Sequence, residues 1–281
     1  MIELKNVTKQ YGKLAAVDRV SLDLPQSGIY CLLGRNGAGK TTLLKLLAGH
    51  IGSTDGRIVI NGAEVSPGRM PDCVNYIESG SEQFDMRVAD LIKTAVQLQE
   101  GFDINFALEM AERFELSHKK RFKKLSFGMK TMLTSILTLA NNSKVILMDE
   151  PTTGFDAIMR DQFNTLLLES YHANPRLIIV STHLIDEVAK VTERLIIIEK
   201  GKILMQAGME DIDERAYSLS GAIKDVLPLL DGLNCINQQI AGNVMSAHIY
   251  DNRITPPEGV AIDGLSLQEF FVSMVGGKKN A

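Results

Sequence analysis

The segment Gly34-Arg35-Asn36-Gly37-Ala38-Gly39-Lys40-Thr41, set directly after the apolar run 29–33, narrows most what this chain can fold into. It has the form of a phosphate loop. Glycines let backbone N–H groups converge on phosphate oxygens, a lysine reaches the outer phosphates, and a threonine hydroxyl serves Mg²⁺. Such a loop needs a strand before it and, after it, a helix whose N-terminus faces the anion. The run 29–33 and the stretch 42–48 supply both. The bland alternative, a glycine-rich strand-to-helix turn, loses ground once that context is counted. The chain is therefore expected to bind a nucleoside triphosphate through Gly34, Asn36, Gly37, Ala38, Gly39, Lys40, Thr41 and Thr42.

Uninterrupted apolar runs recur at 145–148, 177–180 and 195–198, as parallel strands covered on both faces require. Alternating segments at 2–7, 19–24 and 57–60, the last before Asn61-Gly62, predict a small antiparallel subdomain. Between these lies a helical insertion over residues 80–140. One helix spans 88–98, and a second starts at an Asp103 cap with Phe106, Met110 and Phe114 on one face. A third starts near Ser126 and buries Met132, Leu133, Ile136 and Leu137. The expected architecture is an α/β phosphate-loop core over 1–208, with an N-terminal antiparallel β-subdomain and this inserted helical subdomain. A small α+β domain follows over 209–281. It is read as a strand at 216–220, a helix at 222–230, two or three strands through 262, a helix at 267–275 and a frayed tail at 276–281.

Composition removes several readings. A net charge of −4 offers no global attraction to nucleic acid. Cys31, Cys73 and Cys235 have no metal-ligand spacing and read as small apolar residues of a reducing compartment. The first residues carry no secretory h-region, and no apolar run approaches the ~20 residues that cross a bilayer. A membrane function would need another chain for the spanning part. The basic run Lys119, Lys120, Arg121, Lys123 and Lys124 reads as a solvated face, because Phe122 is the one aromatic among them.

The run 145–148 ends in Asp149-Glu150. A strand end beside a phosphate loop is where a carboxylate can bind Mg²⁺, here Asp149, and where Glu150 could orient or deprotonate the attacking water. An acidic turn before Pro151 would explain the pair alone, but not beside the upstream loop. Asp149-Glu150-Pro151-Thr152-Thr153-Gly154-Phe155-Asp156, followed by Ser181-Thr182-His183, resembles an ATP-binding cassette ATPase over residues 1 to about 208. The resemblance implies ATP and Mg²⁺ as cofactors. It implies that His183 contacts the γ-phosphate and helps to hold the water and Glu150, and that Asp156 lies in a loop coupling two ATP sites. Tyr11 matches the position whose ring stacks on adenine. The family's glutamine loop falls near 76–82, where two alignments remain open: one puts Glu78 at the glutamine position, the other Ser79, and Glu78 is the better candidate to reach Mg²⁺ through water. Leu125-Ser126-Phe127-Gly128-Met129 takes the place of the family signature. Ser126 and Gly128 keep its hydroxyl and close backbone approach, whereas Phe127 and Met129 depart from it.

The resemblance further implies a homodimer of ATPase subunits, with Ser126 and Gly128 of one copy completing the site at Lys40 of the other. It implies a separately encoded membrane permease as the partner and a location on the inner face of the cell membrane. The Ser-x-Gly-Met-Lys variant and the segment Leu265-Ser266-Leu267-Gln268-Glu269-Phe270-Phe271 resemble bacterial exporter ATPases, including antibiotic-resistance (bacitracin-type) pumps. The alternative is a soluble cassette ATPase acting on ribosomes or nucleic acid. Such members carry tandem cassettes or a long coiled coil, which this sequence lacks. A phosphate-loop kinase or GTPase would leave Ser126-Phe127-Gly128 and Ser181-Thr182-His183 without a use. A degenerate, regulatory ATPase would suit Phe127 and the open glutamine loop.

Overall fold

The computed structural model describes residues 2–25, 27–80, 84–183, 185 and 189–276. The chain divides into two compact units, Met1–Thr192 with Ile198–Ile203, and Glu193–Ile197 with Leu204–Ala281. The frayed tail expected from residue 277 onward, and residues 81 and 82 of the expected glutamine loop, lie outside the described residues.

The first unit opens with strands β1 (Ile2–Tyr11) and β2 (Leu14–Leu24), longer than their alternation suggests because they pair antiparallel to the turn between them. Strands β4 (Asp55–Ile60) and β5 (Ala63–Glu64) complete a four-stranded sheet in the order β2-β1-β4-β5. Asn61 and Gly62 both have positive φ (49° and 81°), the backbone that a two-residue hairpin matching strand twist requires.

The central sheet contains β3 (Gly28–Leu33), β6 (Val74–Glu78), β7 (Val145–Asp149), β8 (Leu177–Thr182), β9 (Arg194–Glu199) and β10 (Lys202–Gly208), in the order β10-β9-β3-β8-β7-β6. Strands β3, β8, β7 and β6 pair parallel. Every residue of β3, β7 and β8 is buried, which is why these runs are apolar without alternation. Helix α1 (Lys40–Leu47) follows the phosphate loop directly.

The insertion holds α2 (Val88–Leu98), α3 (Ile104–Arg113) and α4 (Phe127–Leu139). Asp103 caps α3 as expected, its carboxylate accepting from the Phe106 N–H at 2.9 Å. The buried face differs: Ala107, Met110 and Ala111 are interior, while Phe106 and Phe114 are half-buried. Helix α4 is buried beyond its apolar residues, with Thr131, Thr134 and Thr138 inside. Each of these hydroxyls donates to the carbonyl four residues back, at 3.1, 3.1 and 2.8 Å, which satisfies it in an apolar setting. Helix α5 (Ala157–Ala173) packs against α4. Arg176, 5% exposed, donates to Leu139 O (2.7 Å), Asn174 O (3.1 Å) and Ser170 Oγ (2.6 Å), so one guanidinium serves the C-terminal ends of both helices. Burial brings its pKa down to about 10.

The second unit continues through α6 (Met209–Arg215) into a sheet ordered β12-β13-β11-β14: β11 (Ala216–Ala222), β12 (Cys235–Ala241), β13 (Val244–Tyr250) and β14 (Ala261–Gly264). Tyr217, Leu219, Met245, Ala247 and Ile249 form its core with Val226 and Val260. The single helix expected over 222–230 is instead a short α7 (Ile223–Val226) running into a 3₁₀ turn, Leu227–Leu230. Pro228 is the reason, since it has no N–H for the Lys224 carbonyl. Helix α8 (Leu267–Gly276) starts at a reciprocal cap, Glu269 N–H donating to Ser266 Oγ (3.2 Å) and Ser266 N–H to Glu269 Oε2 (2.9 Å).

Candidate active site

Strand β3 delivers the chain into the phosphate loop at a close approach. A Cβ at Gly34 would lie 2.5 Å from Ile198 O, so only glycine fits. Gly39 precedes α1 at φ +112°, a left-handed conformation, and a Cβ there would overlap Ala16 O. These two glycines set the loop's path.

The loop borders a cleft of about 860 Å³. Of the residues singled out from sequence, Tyr11, Asn36, Gly37, Ala38, Gly39, Lys40, Thr41, Thr42, Glu150 and His183 line it. Tyr11 is 50% exposed, with Lys9 Nζ 5.2 Å from its ring centroid, so the ring offers a free face to a flat ligand. Ala15, Ala16, Lys200 and Gly201 also line the cleft and were missed. They reach it by long-range pairing of β2 and the β9–β10 turn, which no local motif signals.

Lys40 is 6% exposed, and its ammonium donates to Gly34 O (2.7 Å) and Arg35 O (3.4 Å) and lies 3.2 Å from Glu150 Oε1. The other Glu150 oxygen lies 2.8 Å from His183 Nδ1. The end of β7, the end of β8 and the phosphate loop thus meet at one carboxylate. Glu150 sits at φ +50°, a conformation rare for a residue with a branched or long side chain. Its N–H holds it there by donating to both Ser181 O and Ser181 Oγ, each at 3.1 Å.

Asp149 is buried, and burial pushes its carboxyl above the usual carboxylate range, with the Glu150 and Glu78 charges adding to the rise. Hydrogen bonds from Ser181 and Thr41 act the other way. Glu78 is the direct β6 partner of Asp149, which places it beside this pair. Its carboxylate also meets Lys45 Nζ at 2.9 Å and accepts from Tyr76 OH at 3.3 Å. Ser79, the other candidate for the glutamine position, donates its N–H to Asp149 O (3.2 Å), while its hydroxyl is buried with no hydrogen-bond partner among the described residues. Thr41, Asp149 and Glu78 are hard oxygen donors, the kind Mg²⁺ takes. Among the described residues no group of three or more His, Cys, Asp or Glu could hold a metal. Such a set suits an ion that completes its shell with water and phosphate oxygens.

Ser126, Gly128 and Asp156 do not line the cleft. Ser126 caps α4, its hydroxyl accepting from Met129 N–H at 3.2 Å, and Asp156 caps α5, accepting from Met159 N–H at 2.8 Å.

A phosphate loop at a parallel strand end, with a buried acid at the end of β7 and a Glu–His pair lining the same cleft, defines a phosphate-loop nucleoside triphosphatase. Residues 17–153 match the ABC transporter family model. The chain is 29% identical to the lantibiotic transport ATP-binding protein SrtF of Streptococcus pyogenes over 219 residues, covering 76% of this chain and 95% of that protein. It is 25% identical to the ABC transporter ATP-binding protein YtrB of Bacillus subtilis over 99% of each chain. The bacitracin transport ATP-binding protein BcrA of Bacillus licheniformis is 25% identical over 99% of this chain and 98% of its own. Among solved structures, an ATP-binding subunit of an ABC transporter aligns with a TM-score of 0.67 at 20% identity, covering 75% of this chain and 91% of its own. A dimeric ATP-binding cassette in a post-hydrolysis state, bound to ADP and Pi, aligns at 0.65 and 22%, covering 74% and 99%. The fold is that of an ABC ATPase cassette.

Proposed function

We propose that this chain is the ATP-hydrolysing subunit of an exporter-type ABC transporter, working as a pair of copies beneath a permease supplied by another chain. The observation that carries the reading is the single carboxylate of Glu150 set between Lys40 and His183. Glu150 pairs with Lys40, the lysine that a triphosphate would claim. Once phosphate takes Lys40, Glu150 is released toward the cleft with His183 beside it, placed to orient or deprotonate a water. Thr41 and Asp149, with Glu78 nearby, would hold Mg²⁺, which supplies charge neutralisation for the phosphates.

Ser126 and Gly128 lie off the cleft of their own copy, which supports their use toward a second copy's triphosphate; Asp156 at the start of α5 would lie between the two sites. Among the described residues no helix is long and apolar enough to cross a membrane, so the permease and the peripheral location on the inner membrane face belong to this reading. Export is favoured over import by the relatives named for lantibiotic and bacitracin transport. The test is Glu150→Gln: ATP binding persists, turnover falls by about a thousandfold or more, and a dimer accumulates with ATP. A variant hydrolysing ATP at the parent rate refutes the role of Glu150.

A further inference from the structure

Phe127 stands where the family signature has a glycine, and the structure gives that departure a use. Its ring lies against Gly154: a Cβ at Gly154 would overlap it, and Gly154 holds φ +82°. The far edge of the ring meets Gly80, where a Cβ would lie 3.3 Å away. The next residue, Gly128, makes a second close approach, since a Cβ there would be 3.2 Å from Gly154 O and 3.0 Å from Met159 Sδ. Two segments therefore converge on this side chain at the start of α4: the chain just after β6 and the turn that leaves Glu150.

The Gly154 turn is built for rigidity on its other side. Thr153 N–H donates to Glu150 O (3.2 Å), Phe155 N–H donates to Thr152 O (3.0 Å), and Phe155 is buried beside Phe163 of α5, ring centroids 6.0 Å apart. A glycine at 127 would remove the ring that supplies the atoms nearest to Gly154, and with it a restraint on that glycine's left-handed conformation. Phe127 is 47% exposed, far more than core packing alone would leave an aromatic ring.

We infer that Phe127 is a positioning residue: it ties the N-terminus of α4 to the turn after Glu150, so that the signature end of the insertion and the catalytic carboxylate shift together. The inference rests on the ATPase reading above, yet its contacts exist without nucleotide and can be tested without turnover. Phe127 touches no reacting atom and acts through the backbone of residues 150–154.

The experiment combines amide hydrogen exchange with kinetics on the full chain. In Phe127→Ala without nucleotide, exchange in a peptide spanning 150–156 speeds up about tenfold, while the melting temperature of the chain stays near that of the parent. In turnover, Phe127→Ala lowers kcat about tenfold and moves KM for ATP less than twofold, and Phe127→Leu recovers most of the loss. Gly154→Ala is also impaired, and the double variant Phe127→Ala/Gly154→Ala is no worse than the poorer single variant, because the clash is gone. Unchanged exchange at 150–156 in Phe127→Ala overturns the inference, as do losses that multiply in the double variant. If the parent hydrolyses no ATP, the functional reading fails while the exchange measurement still decides the role of Phe127.

Discussion

Replacing Glu150 by Gln should make the chain bind nucleotide more tightly. The ammonium of Lys40 lies 3.2 Å from Glu150 Oε1 and is almost wholly shielded from water. At an effective dielectric of about 20, unit charges at that separation attract by about 5 kcal/mol. Much of that gross figure is offset by desolvation, and the amide oxygen of glutamine still accepts from Lys40. The carbonyls of Gly34 and Arg35 also keep their bonds to the ammonium. About 1–2 kcal/mol then remains as the cost of freeing Lys40 for phosphate in the parent, equivalent to about 5- to 30-fold in Kd. The assay is equilibrium titration with ADP in excess EDTA, at protein concentrations where the chain stays monomeric. ADP and EDTA remove the γ-phosphate and the metal, so the shift reports on Lys40 alone. Equal or weaker ADP binding by Glu150→Gln would mean that the pair does not compete with nucleotide, and the release step would have to be abandoned.

Two further outcomes follow from burial. Burial pushes the Cys31 thiol up to about 12, so at pH 8 the native chain should leave Cys31 unalkylated by iodoacetamide while half-buried Cys73 reacts, as peptide mass mapping would show; labelling of Cys31 at the rate of Cys73 contradicts its placement. Arg176→Met should destabilise the first unit by about 1–3 kcal/mol in urea unfolding, since it strips a donor from buried Leu139 O and from Ser170 Oγ and leaves them only their bond to each other (3.2 Å); an unchanged stability would show that this bond suffices.

Much of the site is local in sequence and was therefore readable. Lys40, Thr41, Asp149 and Glu150 announce themselves because phosphate chemistry restricts which residues can follow a buried strand. The strands β3, β7 and β8 were legible for the same reason, since burial on both faces leaves no room for alternation. What escaped depends on distant pairing or on a residue that reads two ways. Ala15, Ala16, Lys200 and Gly201 reach the cleft only through the sheet. Thr131, Thr134 and Thr138 look like a solvated stripe, yet they satisfy their hydroxyls along the helix and go inside. Pro228 ends the helix expected over 222–230 because a helix signal read from apolar spacing takes no account of a missing N–H. The two alignments leave Glu78 and Ser79 competing for one family position, and the register of β6 sets Glu78 directly opposite Asp149.

Helices α4 and α5 are joined like the two rails of a short ladder. Arg176 forms one rung at their C-terminal ends, and Phe127 with Gly128 forms the other, against the turn that opens α5. A ladder fixed at both ends cannot hinge along its length. Any tilting of the insertion should then be taken up by α2 and α3, with α4 staying in step with the sheet.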